Sequence, residues 1–131
     1  MIFEVLAVIG LAAGALMGLG ALASPAWASG VVRLVADPDK PGGYSEFRAT
    51  YGGLFFMVHA TALMIVLTAP PAMGVFAALP IAAGWLGAGL GRAISLVLDR
   101  EQLRERALNP IWIATEAGLG LAIASPILQF L

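Results

Sequence analysis

Two charged residues, Arg92 and Glu116, lie inside long apolar stretches of the 131-residue sequence. Arg92 stands six residues before the end of one stretch, which corresponds to about 9 Å of helix. Glu116 lies at a comparable distance from the start of the next stretch. Each charge alone in a bilayer costs roughly 2.5–3.5 kcal/mol on insertion scales. Because the two opposite charges have matched depths on consecutive segments, we predict that they form an ion pair.

Further polar residues are expected beside this pair. Ser95 and Asp99 follow Arg92 at helical spacing, so they share one helix face. Two more residues open the second apolar segment at the same side of the predicted membrane. The predicted polar cluster comprises Arg48, Tyr51, Arg92, Ser95, Asp99 and Glu116.

Three roles fit this cluster. The favoured one is an internal ion-pair lock that orients the helices. The second is a pocket for an anionic or polar small molecule, with Arg48 and Arg92 as anion contacts and Tyr51 as a hydrogen-bond donor. The third is ion coupling, in which Arg92 alternately pairs with Glu116 and releases it.

His59, the only histidine, stands near the middle of the second apolar segment. We expect it to hydrogen-bond a hydroxyl group or a backbone carbonyl of a neighbour. The alternative is a proton relay or an axial ligand to a pigment or haem, for which one imidazole suffices. No metal site and no other cofactor is predicted, because cysteine is absent and no side chains stand at metal-ligand spacing.

The elements that must position these residues are four apolar segments, at Ile2–Ala23, Phe47–Thr68, Pro71–Leu98 and 111–131. The chain is 60% hydrophobic and 11% charged, whereas soluble domains are about 45–50% apolar and about 25% charged. Each segment has the roughly 20 residues that a helix needs to cross the hydrocarbon layer. We therefore predict an all-α integral membrane protein, with one domain over residues 1–131 folded as an antiparallel bundle of four transmembrane helices.

The basic residues predict the orientation of this bundle. All seven fall on, or run into, one side of a four-span arrangement, and they are Arg33, Lys40, Arg48, Arg92, Arg100, Arg104 and Arg106. Cytoplasmic connections are enriched in Lys and Arg. We expect a bacterial inner-membrane protein with residues 24–45 and 99–109 in the cytoplasm and both termini in the periplasm. Residues 99–109 are expected to form a short amphipathic segment at the inner surface.

The first apolar segment resembles a secretory signal in part. However, Glu4 stands where a signal peptide carries Lys or Arg. We expect a retained first helix.

Small residues recur every four positions in two of the segments. Gly10, Gly14 and Gly18 mark one face of the first segment, and Gly87 and Gly91 mark one face of the third. Small faces let helix backbones approach closely in lipid, where burial of apolar side chains does not drive helix association. We expect these glycines to pack helices within the bundle, and the alternative is a face for a second copy or another membrane protein.

One set of motifs resembles a known bacterial family. It consists of Arg48-Ala49-Thr50-Tyr51-Gly52-Gly53 at a helix start, Gly91-Arg92, Asp99 and Glu116. The chain resembles the small four-helix membrane proteins of domain-of-unknown-function family 4345 over nearly its whole length, although residues 24–45 are longer than is usual there. The resemblance implies the four-helix fold and the polar cluster, and it implies no reaction.

Function is predicted less directly than fold. No nucleophile–base pair, metal set or phosphate loop is recognisable, so an enzyme is the third choice. A net charge of −1 gives no basic surface for nucleic acid. We expect a non-enzymatic protein of the lipid bilayer that is an accessory or structural subunit of a larger membrane complex, or a homo-oligomer. The runner-up is a small-molecule binding or ion-coupled transport protein that uses the polar cluster.

Overall fold

The computed structural model describes residues 1–37, 39, 42–99 and 109–131, and this part of the chain is predominantly helical, with no strand. The helices are α1 (Ile2–Ala23), α2 (Pro25–Val32), α3 (Phe55–Thr68), α4 (Pro71–Leu98) and α5 (Asn109–Ala124). A π-helical turn, Phe47–Leu54, leads into α3, and a 3-10 turn, Ser125–Gln129, follows α5. The all-α prediction is confirmed.

Four helical stretches in the described residues are long and apolar enough to cross a membrane. They are Ile2–Ala23, Phe47–Thr68, Pro71–Leu98 and Asn109–Gln129. The first three have the predicted bounds, and the fourth begins and ends two residues before its predicted bounds. Proline fits the first turn of a helix because the N–H that it lacks has no partner there, which explains the positions of Pro71 and Pro110. The prediction of four long apolar helices is confirmed.

The short helix α2 was not part of the predicted architecture. Pro25 occupies its first turn, and the helix ends at Arg33, whose φ of 58° is left-handed. Ala28 packs with Ala21 and Phe47 in a small core. The connection after α1 is partly helical because the helix lets Ala28 be buried against Ala21 and Phe47.

The described chain divides into two compact units. One unit is Leu11–Met64, and the other combines Met1–Gly10 with Ile65–Leu131. The single domain over residues 1–131 stays a prediction. The amphipathic segment predicted after Asp99 lies outside the described residues, as do Lys40, Arg100, Arg104 and Arg106.

In the unit that contains both chain ends, a buried serine connects them. The Ser125 hydroxyl lies 2.9 Å from the Phe3 carbonyl oxygen and 2.8 Å from the Ala122 carbonyl oxygen. A hydroxyl has one proton to donate, so these two carbonyls share it. Gly10 lies against Ile123 in the same unit, where an added Cβ would be 2.7 Å from the Cγ1 of Ile123.

Candidate functional site

Helices α4 and α5 pack along each other at a seam of small residues. A Cβ added at Gly120 would lie 2.7 Å from Leu86 Cγ and 3.0 Å from the Ala82 carbonyl oxygen. One added at Gly89 would be 3.6 Å from Glu116 Cβ, an ordinary contact distance. The seam therefore brings the backbone of α4 close to the side of α5 that carries Glu116.

Arg92 and Glu116 form an ion pair across this seam. The Arg92 Nε donates to Glu116 Oε1 at 2.7 Å. The Arg92 side chain is 34% exposed, whereas the Glu116 side chain is 7% exposed. The guanidinium carbon also lies 5.8 Å from the centre of the Trp112 ring, within the range of a cation–π interaction.

The pairing leaves one carboxylate oxygen unsatisfied. Glu116 Oε2 is buried and has no hydrogen-bond partner among the described residues. A buried acceptor without a partner costs roughly 1–3 kcal/mol, and more when it is charged. The contact uses only Nε of Arg92, so it is not the two-bond, parallel arrangement that arginine forms with carboxylates at full strength.

Ser95 and Asp99 form a separate contact at the end of α4. The Ser95 hydroxyl donates to Asp99 Oδ2 at 2.6 Å, and the Asp99 N–H donates to the Ser95 carbonyl at 2.9 Å. Both bonds span one helical turn. These two residues therefore close the C-terminal turn of α4.

In the unit Leu11–Met64, Arg48 lies at the C-terminal end of α1. Its Nη1 donates a hydrogen bond to the carbonyl oxygen of Leu22, one of the last carbonyls of α1, which have no partner within the helix. A Cβ added at Gly52 would lie 2.9 Å from Leu22 Cγ. The Arg-x-x-Tyr-Gly-Gly element thus holds the end of α1, with its arginine on a backbone carbonyl and its first glycine against the neighbouring side chain.

Tyr51 belongs to an aromatic row on the π-helical turn. Its ring centre is 5.8 Å from that of Phe47, which in turn is 5.9 Å from Tyr44. Arg48 and Tyr51 lie in one compact unit, whereas Arg92, Ser95, Asp99 and Glu116 lie in the other. The six-residue cluster as a whole therefore stays a prediction.

His59 is buried in α3, with 2% of its surface exposed. Its Nδ1 lies 2.7 Å from the Phe55 carbonyl oxygen, and since a carbonyl only accepts, Nδ1 carries the proton of this bond. The ring fills the space beside Gly14, where an added Cβ would collide with it. The carbonyl lies one turn earlier in the same helix. The pigment, haem and proton-relay roles stay predictions.

The glycines of the two predicted faces have different surroundings. Gly10, Gly14 and Gly18 are buried, and a Cβ added at Gly18 would collide with backbone atoms of Phe56. Gly87 and Gly91 are exposed, and no described atom lies within 4 Å of a Cβ added at either. The contacts within the described chain use the α1 face and leave the α4 face open.

Three residues of the ion-pair site were not predicted from the sequence. Trp112 lies four residues before Glu116, and Gly120 lies four residues after it. A helical projection centred on Glu116 therefore places Trp112, Glu116 and Gly120 on one face. Gly89 stands three residues before Arg92, so a projection centred on Arg92 places it on the same face of α4. The regular glycine repeat instead favoured Gly87 and Gly91 as the packing residues of α4.

No group of three or more potential metal ligands occurs in the part of the chain that the structure covers. Comparison of the sequence and structure with models of protein families, with curated proteins and with solved structures gives no match. The resemblance to domain-of-unknown-function family 4345 stays a prediction.

Proposed function

We propose that the chain is a non-enzymatic, multi-pass membrane protein that acts as a subunit of a larger membrane assembly, with other subunits or with further copies of itself. The four long apolar helices support the membrane location. The motif resemblance described above supports membership of the small four-helix family. The proposed cellular location is a bacterial inner membrane.

The helix contacts support an antiparallel bundle. In one unit, Arg48 at the start of the second span bonds Leu22 at the end of the first. In the other unit, Arg92 late in α4 bonds Glu116 early in α5. Each contact joins the end of one span to the start of another, as expected for antiparallel neighbours. Arg33, Arg48 and Arg92 all lie near these junctions, so the rule that cytoplasmic connections are basic favours periplasmic termini.

The observation that carries the assembly proposal is the open small-residue face of α4. Ala83, Gly84, Gly87 and Gly91 are all exposed, and added Cβ atoms at the three glycines would meet no described atom within 4 Å. In lipid, such faces let a second helix come close enough for van der Waals packing and interhelical hydrogen bonds. The matching face of α1 is covered within the chain, whereas this one is available to another chain.

Assembly is tested by native mass spectrometry of the protein extracted in a mild detergent. The wild type is expected at a mass above the 13.5 kDa of one chain. Gly87→Leu is expected to remove the larger species, because the new side chain holds a partner helix away. Gly118→Leu is the matched control, since Gly118 is an exposed glycine of α5 with equally open surroundings.

Two results would contradict the proposal. The first is a wild type that is observed only at the mass of one chain. The second is equal assembly of the wild type and Gly87→Leu. The absence of native cysteine allows a second readout: Gly87→Cys, oxidised in membranes, gives a product of twice the chain mass if the partner is a second copy. A disulfide-linked product of any other mass identifies a different subunit that carries a cysteine at this interface.

A second candidate function is ion-coupled binding or transport at the Arg92–Glu116 pair. The observation that favours it is the buried, unsatisfied Oε2 of Glu116, because a bound cation would remove the free-energy cost of leaving that oxygen without a partner. Proton flux into liposomes, followed by a trapped pH-sensitive dye, tests this function. Flux that Glu116→Gln abolishes and Asp99→Asn retains would support it, whereas equal flux in all three proteins would remove it.

A further inference from the structure

The short helix α2 begins where the first apolar span ends. A single residue, Ser24, separates α1 (Ile2–Ala23) from α2 (Pro25–Val32). The eight residues of α2 give a length of about 12 Å, whereas the hydrocarbon layer of a bilayer is roughly 30 Å thick. If α1 crosses a membrane, as proposed above, then α2 begins at the surface where α1 ends and is too short to cross the bilayer itself.

One face of α2 is covered by the chain. Pro25 and Ala28 are buried, and Val32 packs against the small core that Ala28 forms with Ala21 and Phe47. The spacing of three and four residues places Pro25, Ala28 and Val32 on one side of the helix. This side holds α2 against the end of α1 and the π-helical turn.

The opposite face of α2 is apolar but uncovered. Ala26, Trp27 and Gly30 are exposed, and 46% of the Trp27 surface is accessible. The helix contains no charged residue, and its one hydroxyl, on Ser29, donates to the Leu34 carbonyl. A helix that is apolar on all sides is normally buried, either in a protein core or in lipid. Apart from the indole N–H, the side chains of the uncovered face offer water no hydrogen-bonding group.

The Trp27 ring fixes the depth of this face relative to α1. It lies against Gly20, where an added Cβ would be 3.1 Å from the ring atom Cζ3. Gly20 stands three residues before the end of α1, which corresponds to about 4.5 Å of helix. Tryptophan is enriched at the boundary between headgroups and acyl chains, because its ring is apolar and its N–H is polar. The contact with Gly20 places the ring at this boundary.

We infer that α2 is an interfacial helix whose outer face, formed by Ala26, Trp27 and Gly30, lies among the lipid headgroups and the adjoining part of the acyl chains. The partner of this face is the bilayer, because the face is uncharged, directly follows an apolar span and has interfacial depth. Insertion of α2 would hold the end of α1 at a fixed depth. This role rests on the proposed membrane location and is independent of the assembly proposed through α4.

The test measures depth with nitroxide labels on the full-length chain in phosphatidylcholine vesicles, since the chain has no native cysteine. Ala26→Cys and Gly30→Cys carry a label on the outer face of α2, where both positions are exposed. Leu16→Cys, 67% exposed in α1, is the control inside the span. Asp39→Cys, at an exposed position in the connection after α2, is the control in water. Power saturation with oxygen, which enters lipid, and with a nickel chelate, which stays in water, measures the depth of each label.

Both α2 labels are expected at a depth of about 5–10 Å below the headgroups. The Leu16 label is expected deeper, and the Asp39 label is expected in water. Two α2 positions are used because one label alone could disturb the helix, and far-ultraviolet circular dichroism of each labelled protein shows that the helices are retained.

A pair of variants tests the contribution of Trp27. In the Gly30→Cys background, Trp27→Glu is expected to move the label toward water, because a carboxylate is unfavourable at that depth. Trp27→Phe keeps an apolar aromatic ring and is expected to retain the depth. Equal depths in the two variants would overturn the role of Trp27.

Three results would overturn the interfacial helix. If the α2 labels met the nickel chelate as readily as the Asp39 label while the Leu16 label reported lipid, α2 would lie in water and the membrane location would stand. Low access of both reagents to the α2 labels would mean that another protein chain covers the face. A Leu16 label in water would overturn the membrane location and the interfacial helix together.

Discussion

The two compact units hold their helices together in different ways. In Leu11–Met64, α1 and α3 meet through glycines: Gly18 lies against the backbone of Phe56, and Gly14 accommodates the His59 ring. In the other unit, α4 and α5 meet at a glycine seam that also carries the Arg92–Glu116 ion pair. In lipid, apolar burial does not drive helix association. The α1–α3 contact is a close fit at glycines, whereas the α4–α5 contact adds an ion pair in which one carboxylate oxygen has no partner among the described residues.

The largest effect is expected from breaking the ion pair on its exposed side. Arg92→Ala leaves the buried Glu116 carboxylate without its cation and is expected to lower the free energy of unfolding by about 3 kcal/mol. The exchanged double variant, Arg92→Glu with Glu116→Arg, is expected to recover part of this loss. Unfolding in mixed micelles by titration with sodium dodecyl sulfate measures both.

The control for this prediction is the exposed ion pair between Glu4 and the N-terminus. Exposed pairs contribute little, so Glu4→Ala is expected to change the free energy of unfolding by less than about 0.5 kcal/mol. Equal stability of Arg92→Ala and the wild type would show that the buried pair does not lock the helices.

The glycine contact is tested by adding a single methyl group. Gly18→Ala places a Cβ against the backbone of Phe56, and overpacking of this kind costs about 2 kcal/mol. Gly84→Ala is the matched control, because a Cβ there meets no described atom within 4 Å. The same detergent titration is used. If both variants unfolded at the same point as the wild type, the α1–α3 contact would not depend on close shape.

The His59 seat is tested by a double-variant cycle. Gly14→Ala alone is expected to destabilise the protein, because the added Cβ meets the imidazole ring. In a His59→Ala background that ring is gone, so the same methyl group should be tolerated. We expect a coupling free energy of about 1 kcal/mol from the four unfolding curves. Strictly additive effects would mean that the ring and the glycine do not share this space.

An effect of similar size is expected at the end of α1. Arg48→Gln removes the charge that lies at the carbonyl end of the helix, where the helix dipole is negative, and should cost about 1 kcal/mol. Arg48→Lys keeps the charge and should retain part of the stability. An equal loss in both variants would point to the shape of the guanidinium, rather than its charge, as the stabilising feature.

Much of the fold was predictable because long apolar helices carry their signal locally. Length and apolar composition alone gave the bounds of Ile2–Ala23 and Pro71–Leu98, since every residue of a span must be compatible with lipid. The helix α2 escaped prediction because it is too short for that rule and depends on a core made with Phe47, which is distant in sequence. The contacts of the candidate site residues were only partly predictable, because they too depend on residues that are distant in sequence.

Length, composition and charge were enough to place the four long apolar helices and to indicate the Arg92–Glu116 pair, because opposite charges in apolar helices require a partner at similar depth. Which faces of those helices are covered is seen only in the folded chain. Gly14 and Gly87 stand in equally regular glycine repeats, yet one seats the His59 ring and the other is open. A glycine repeat makes one face of a helix small, whereas contact depends on how that helix is rotated toward its neighbours. That rotation is set by side chains far away in the chain.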